Sequence, residues 1–144
     1  MGKKRVAQKK GGTVDAGLRA RALSRAPKKK VVSGILYVEA TYNNTRLSLT
    51  DNAGNVLAWS SSGALGFNGA KKGTPFAAAK IGEVIAEKAL MMGMKDVSVV
   101  VKGVGMGRES GIRAFAGKGI NITAISDRTP VPHNGPTPRK PRRV

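Results

Sequence analysis

Between Lys102 and Ser110 the chain reads Lys-Gly-Val-Gly-Met-Gly-Arg-Glu-Ser, so Gly103, Gly105 and Gly107 alternate between two cations, Lys102 and Arg108. A glycine-rich passage from a strand into a helix exposes backbone N–H groups at the positive end of the helix dipole. The chemistry it offers is the holding of a phosphate. It is not the dinucleotide fingerprint, because Arg108 stands where that spacing needs glycine, and no Gly-Lys-Ser/Thr makes it a Walker loop. Two readings stay open, an ordinary strand-to-helix turn and a clamp on a phosphodiester backbone. The surplus of cations nearby, with Ser110 and Arg113 just downstream, favours the clamp.

A second stretch of the same character runs from Ser60 to Thr74, rich in Ser and Gly and ending in Lys71 and Lys72. It reads as a long, flexible, basic loop in which glycine permits close approach to a sugar-phosphate backbone. Tyr37 and Trp59 have rings that could stack on bases, although Trp59 shares a strand face with Leu57 and is expected in the core. His133 reads as a hydrogen-bonding or stacking group of the tail. A two-metal carboxylate centre would have to be assembled from Glu39, Glu83 or Glu87, and Asp127. Glu39 has no partner acid on its strand and the helix acids oppose the apolar stripe, so no catalytic or metal site is expected.

Composition excludes more. The chain has no cysteine and a single histidine, which removes disulfides, thiolate zinc sites, a Cys nucleophile and a histidine-based triad. Aromatics are only 4%, so stacking platforms are few. No apolar run approaches the ~18 residues of a membrane span, and no apolar signal region follows the basic start; a soluble, unexported, cytoplasmic protein is expected, without cofactor or small-molecule substrate. A transit peptide would be acid-poor too, but the lysine blocks Lys9-Lys10 and Lys28 to Lys30 do not fit its Arg/Ser pattern.

These residues must be held by a framework, and the apolar periodicity supplies one. Leu36, Val38, Ala40 and Tyr42 alternate with polar positions along a strand from Ile35 to Tyr42; Asn43 and Asn44 form a two-residue turn; Thr45 to Thr50 returns with Leu47 and Leu49 inward. Val56 to Ser61 completes a three-stranded meander after the turn at Asp51 to Asn55. Thr74 caps and Pro75 opens a helix whose apolar face is Ala77, Ile81, Val84, Ile85, Ala89 and Met92, stopped at Gly93. Val97 to Val101 is a strand fit for burial on both faces, Arg108 to Ala116 a short helix, and Ile120 to Ile125 the last strand. The fold class is therefore α/β: a mixed sheet of meander, then helix, strand, helix, strand, resembling the ribonuclease H-like topology.

The net charge of +18 sits at the ends. Residues 1–30 hold eleven Lys or Arg against Asp15 alone, residues 128–144 hold five and no acid, and the body between carries a net of only +3. Three regions follow: a basic N-terminal extension over 1–31, a globular domain over 32–127, and a Pro-rich basic tail over 128–144. The arms bury too little to order alone, and a polyanion, most obviously nucleic acid, would supply the missing free energy. In the first arm Leu18, Ala22, Leu23 and Ala26 oppose Arg19, Arg21 and Arg25, so a short helix ending at Pro27 is expected on RNA contact. The same charge would also suit an RNA chaperone or nucleoid protein indifferent to sequence.

Several segments are specific in combination: Tyr-Asn-Asn-Thr (42–45), Leu-Thr-Asp (49–51), Lys-Gly-Thr-Pro-Phe-Ala-Ala (72–78), Val-Lys-Gly (101–103), Gly-Arg-Glu-Ser (107–110), Ile-Arg-Ala (112–114), and Asp127 through Thr-Pro-Val-Pro-His-Asn-Gly135. From about Val32 to Val144 the chain resembles family eleven of the bacterial small-subunit ribosomal proteins. The resemblance implies a ribonuclease H-like fold without nuclease activity. It further implies binding to several rRNA helices at the platform, neighbouring ribosomal proteins as partners, and a place near the mRNA exit cleft and its Shine-Dalgarno helix. The expected RNA contacts are Asn43, Asn44, Lys71 and Lys72; the run Lys102, Gly103, Gly105, Gly107, Arg108, Ser110 and Arg113; and, in the tail, Arg128, His133, Asn134, Arg139, Lys140, Arg142 and Arg143. Val104 and Met106 replace prolines common in the family, which implies a less rigid loop. Pro136, Thr137 and Pro138 follow Gly135 where the family has Cys-Arg-Pro, leaving Arg139 as the nearest substitute for that arginine. Residues 1–30 match the family only in being basic.

Overall fold

The alternation in Leu36, Val38 and Ala40 becomes the buried face of β1 (Ser33–Ala40) in a computed structural model that describes residues 15–25 and 28–142. β1 pairs antiparallel with β2 (Thr45–Asp51), matching Leu36 to Leu49 and Val38 to Leu47, and parallel with β4 (Asp96–Gly103). With β3 (Val56–Ser61) and β5 (Asn121–Asp127) the sheet has the order β3-β2-β1-β4-β5.

α2 (Pro75–Met91) and α3 (Gly107–Ala116) cover one face of this sheet. Thr74 caps α2, its hydroxyl accepting from Ala77 N at 3.4 Å, and Gly93 reverses the chain at φ 77°. Ala77, Ile81, Val84, Ile85, Ala89 and Met92 are all buried, as the 3.6-residue period requires. Each fully buried Leu, Ile or Val stabilises by about 1.5–3 kcal/mol, so this single interface dominates folding. The opposite face, with Tyr37, Ser48, Ser98 and Trp59, stays half-buried or exposed. Val97, Val99, Val100 and Val101 are buried in β4, as the valine run implies for an interior strand.

The meander differs from expectation in three places. Tyr42 lies beyond β1 and is 80% exposed, because the strand stops at Ala40. The hairpin turn is a four-residue loop closed by Thr41 N donating to Asn44 O at 2.8 Å, so neither asparagine needs a left-handed backbone. Trp59 is 55% exposed rather than core. On the inner face of β3 the positions opposite Leu47 and Leu49 are Ser60 and Ala58, since only small side chains fit beside those leucines beneath α2. Trp59 therefore faces outward, with the Arg46 guanidinium 5.7 Å from its ring centre.

The stretch from Ser60 to Thr74 is not a flexible loop. It folds into two 3-10 turns, Gly63–Leu65 and Gly69–Gly73, because Leu65 and Phe67 bury themselves and Phe67 meets Phe76 edge-on at 6.1 Å. Buried Ser62 donates its hydroxyl to Lys72 O at 2.7 Å and fixes the basic end of the segment.

A helix expected in the N-terminal extension only on RNA contact is present in the chain alone as α1 (Ala16–Ser24), capped by the Asp15 carboxylate accepting from Gly17 N. Ala22 and Leu23 pack against the core, and Arg19 reaches Glu87 at 2.7 Å. Ala26 and Pro27, where that helix was expected to stop, lie outside the described residues, as do residues 1–14, 143 and 144. The tail after Asp127 contains neither helix nor strand through Arg142, in keeping with its prolines.

Candidate nucleic-acid interface

One end of the sheet gathers three segments that are distant in sequence: the hairpin loop 41–44, the 3-10 turn ending in Lys71-Lys72, and the glycine loop 103–107. Glycine is what lets them meet. A side chain on Gly73 would strike the backbone of Tyr42, one on Gly103 the backbone of Ala40, and one on Gly105 the carbonyl of Thr41. Gly103 also has φ 105°, a conformation that other residues adopt only with strain. The close approach read from these glycines is therefore of the chain to itself. Gly105 N donates to Ala40 O at 2.9 Å and Gly103 N to Thr129 Oγ1 at 3.2 Å, so two amides of the loop are engaged within the protein.

Arg108 is a brace. Its guanidinium donates to Gly103 O at 2.8 Å and to Asp127 Oδ2 at 2.6 Å, joining the glycine loop, α3 and the end of β5. The Asp127 carboxyl is held down to about 2, first by the hydroxyl and amide of Thr129 and then by Arg108. Through Thr129 the root of the tail is tied to Gly103, so the tail leaves the body beside the same loops.

Around this braced centre the cations are differently placed. Lys71 and Lys102 are exposed and Lys72 is half-buried. Arg113 is exposed one turn along α3, in a weak i,i+4 pair with Glu109 at 3.3 Å; Ser110 is half-buried between them. Asn43 is exposed, whereas the Asn44 side-chain oxygen is buried without a hydrogen-bond partner among the described residues. α2 and α3 both begin at this end, adding their positive dipole ends to the field of the lysines. Arg128, His133, Asn134, Arg139, Lys140 and Arg142 are exposed along the tail, and Arg143 lies outside the described residues.

Tyr42 is the residue that sequence reasoning missed, because its place in the alternation put it inward. It stands exposed among the amides and lysines, where a ring can stack on a base. Val104 and Met106 are likewise exposed at the tip of the glycine loop.

The acids do not converge. Glu39 lies in register between Arg46 on β2 and Lys102 on β4, on the face away from the helices. Glu83 pairs with Lys80, Glu87 with Arg19 and Lys118, and Asp127 with Arg108. Among the described residues no three His, Cys, Asp or Glu side chains could hold a metal ion together. No helix described is long and apolar enough to cross a membrane.

A mixed α/β domain with exposed cations gathered at one end, and no convergent acids among the described residues, is the arrangement expected of a protein that binds a polyanion. Comparison with known proteins narrows the class. The family described as ribosomal protein S11 matches residues 34–143. The small ribosomal subunit protein uS11 of Treponema pallidum, from strain Nichols and from a second strain of subspecies pallidum, is 52% identical over 120 residues, which cover 83% of this chain and 95% of the relative. The chain belongs to the ribosomal protein S11 family. It is a ribosomal protein of the small subunit, with a structural part in translation rather than an enzymatic one.

Proposed function

We propose that the protein binds and bridges helices of the small-subunit rRNA at the platform, beside the cleft where mRNA leaves and the Shine-Dalgarno helix forms. It works in the cytoplasm among neighbouring ribosomal proteins. The observation that carries this is the fusion of hairpin loop, Lys71-Lys72 turn and glycine loop into one rigid end from which a basic tail departs. A rigid end recognises RNA by shape and backbone contact, while the tail follows phosphates into an adjoining groove. The strand order, with β1, β3, β4 and β5 running one way and β2 alone antiparallel to them, is the ribonuclease H-like arrangement in this reading. The domain spans residues 32–127, and the arms order fully only on RNA.

The rRNA sites are Asn43, Asn44, Lys71, Lys72, Lys102 and Arg113 on the body, with Arg128 to Arg143 along the tail. Arg108 and the three glycines shape the loop from behind. Competition tests the reading: binding to a small-subunit rRNA transcript survives a large excess of unrelated RNA, and the protein stays with small subunits through a high-salt wash. Equal displacement by any RNA would reduce it to a binder indifferent to sequence. Cleavage radicals generated from a probe at position 43 map the platform helices; cuts elsewhere refute the placement.

A further inference from the structure

Between α1 and the outer edge of β3 lies a cavity of about 420 Å³, to which no residue of the glycine loop contributes. Leu18 and Leu57 form apolar wall, and Trp59 stands at the opening. Its charged residues are Arg21, Arg25 and Lys88, and no acid is among the residues that line it. Lys88 is only 5% exposed, yet among the described residues no acceptor hydrogen-bonds its ammonium and no carboxylate pairs with it. The nearest acid in sequence, Glu87, is taken by Arg19 and Lys118.

Three cations on the lining of one cavity, with no acid among them, repel one another unless an anion completes the set. Burial first, and the charge of Arg25 second, push Lys88 below the ordinary lysine range. A methionine would fill the same place on α2 at no such cost. Resting on the rRNA-binding reading above, we propose that this cavity takes one phosphodiester group of the RNA, with Lys88 at its floor and Arg21 and Arg25 at its rim.

Two features favour RNA over an acidic protein segment. Trp59 offers a ring beside the cations, with Arg46 already against it, a pairing suited to a base next to the bound phosphate. Lys28 and Lys30 are exposed after α1, with Lys29 against Asp51 at 3.5 Å, so the same stretch of chain offers further cations to a polymer of evenly spaced charges. α1 then has a function beyond carrying charge: it is one wall of the pocket.

The test measures binding of the full-length chain to a small-subunit rRNA transcript across a salt series, for wild type, Lys88→Met and the double variant Arg21→Gln/Arg25→Gln. Losing one phosphate contact lowers the slope of log K against log salt by about 0.7 to 1, and Lys88→Met is expected to do this without a lower melting temperature. The exposed arginines give the same direction of change even if Lys88→Met folds poorly. Unchanged slopes in both variants, with wild-type binding intact, overturn the pocket and leave the rRNA reading standing. A wild type that does not bind the transcript overturns both. If the variants abolish capture of a poly-glutamate peptide but keep the rRNA slope, the occupant is an acidic protein and the proposal is wrong.

Discussion

Gly82 on α2 and Gly111 on α3 touch backbone to backbone: a methyl group added to Gly82 would stand 2.5 Å from the Gly111 carbonyl oxygen and 3.0 Å from the Ala114 Cβ. The two helices that roof the sheet approach this closely only because Gly82 carries no side chain at the crossing.

Gly82→Ala is therefore expected to destabilise. Overpacking costs about 1–3 kcal/mol, more than the ~1 kcal/mol that alanine gains in a helix interior. Gly111→Ala meets the movable end of Leu47 at 3.4 Å and should be much milder. Thermal unfolding of the two variants side by side checks the order.

The brace and the contacts should separate in one experiment. Lys71→Gln and Lys72→Gln are expected to leave melting unchanged and to lower the salt slope of rRNA binding by about 0.7 to 1 each. Arg108→Lys cannot reach Gly103 O and Asp127 together, so it should lower the melting temperature while changing the slope little. A full slope loss at Arg108 would make it a phosphate ligand instead.

Asp127 carries an acid dependence whose sign follows from its depressed pKa. The group contributes stability that is fully present above the ordinary carboxylate value near 3.8 and disappears as pH falls through about 2. Asp51 acts in the same direction, its carboxylate held down by Asn55. Asp127→Asn should flatten the loss of stability below pH 4 without abolishing it, and carboxyl NMR should find the Asp127 titration near 2.

Tyr42→Ala removes a ring that the fold does not use. Melting should be unaffected, whereas rRNA affinity should fall by about 1–3 kcal/mol if a base stacks there. An unchanged affinity would exclude base stacking on this ring.

The sequence made the framework legible where apolar period and punctuation agreed, as in Thr74-Pro75, the stripe of α2 and the stop at Gly93. It misled where packing between elements decides. Which face of β3 turns inward depends on how much space Leu47 and Leu49 leave, and no local pattern contains that. The Ser-Gly composition of residues 60–74 suggested mobility, but two buried side chains, Leu65 and Phe67, outweigh it. The candidate site was legible as a set of loops rich in Gly, Asn and Lys. Its inner division was not, because whether an arginine points at an aspartate or at solvent is a matter of tertiary distance.

Ser62 ties the backbone of Lys72 to the start of β2 at Thr45. Lysines mounted on so fixed a support can meet RNA without first losing freedom, so they should govern how long the complex lasts. Among the described residues the exposed tail beyond Thr129 has no such anchor, and it extends the reach of capture, so its charges should govern how quickly the complex forms. On the proposed reading, the division of labour on this chain is a division in time, with arrival expected to belong to the tail and residence to the braced end.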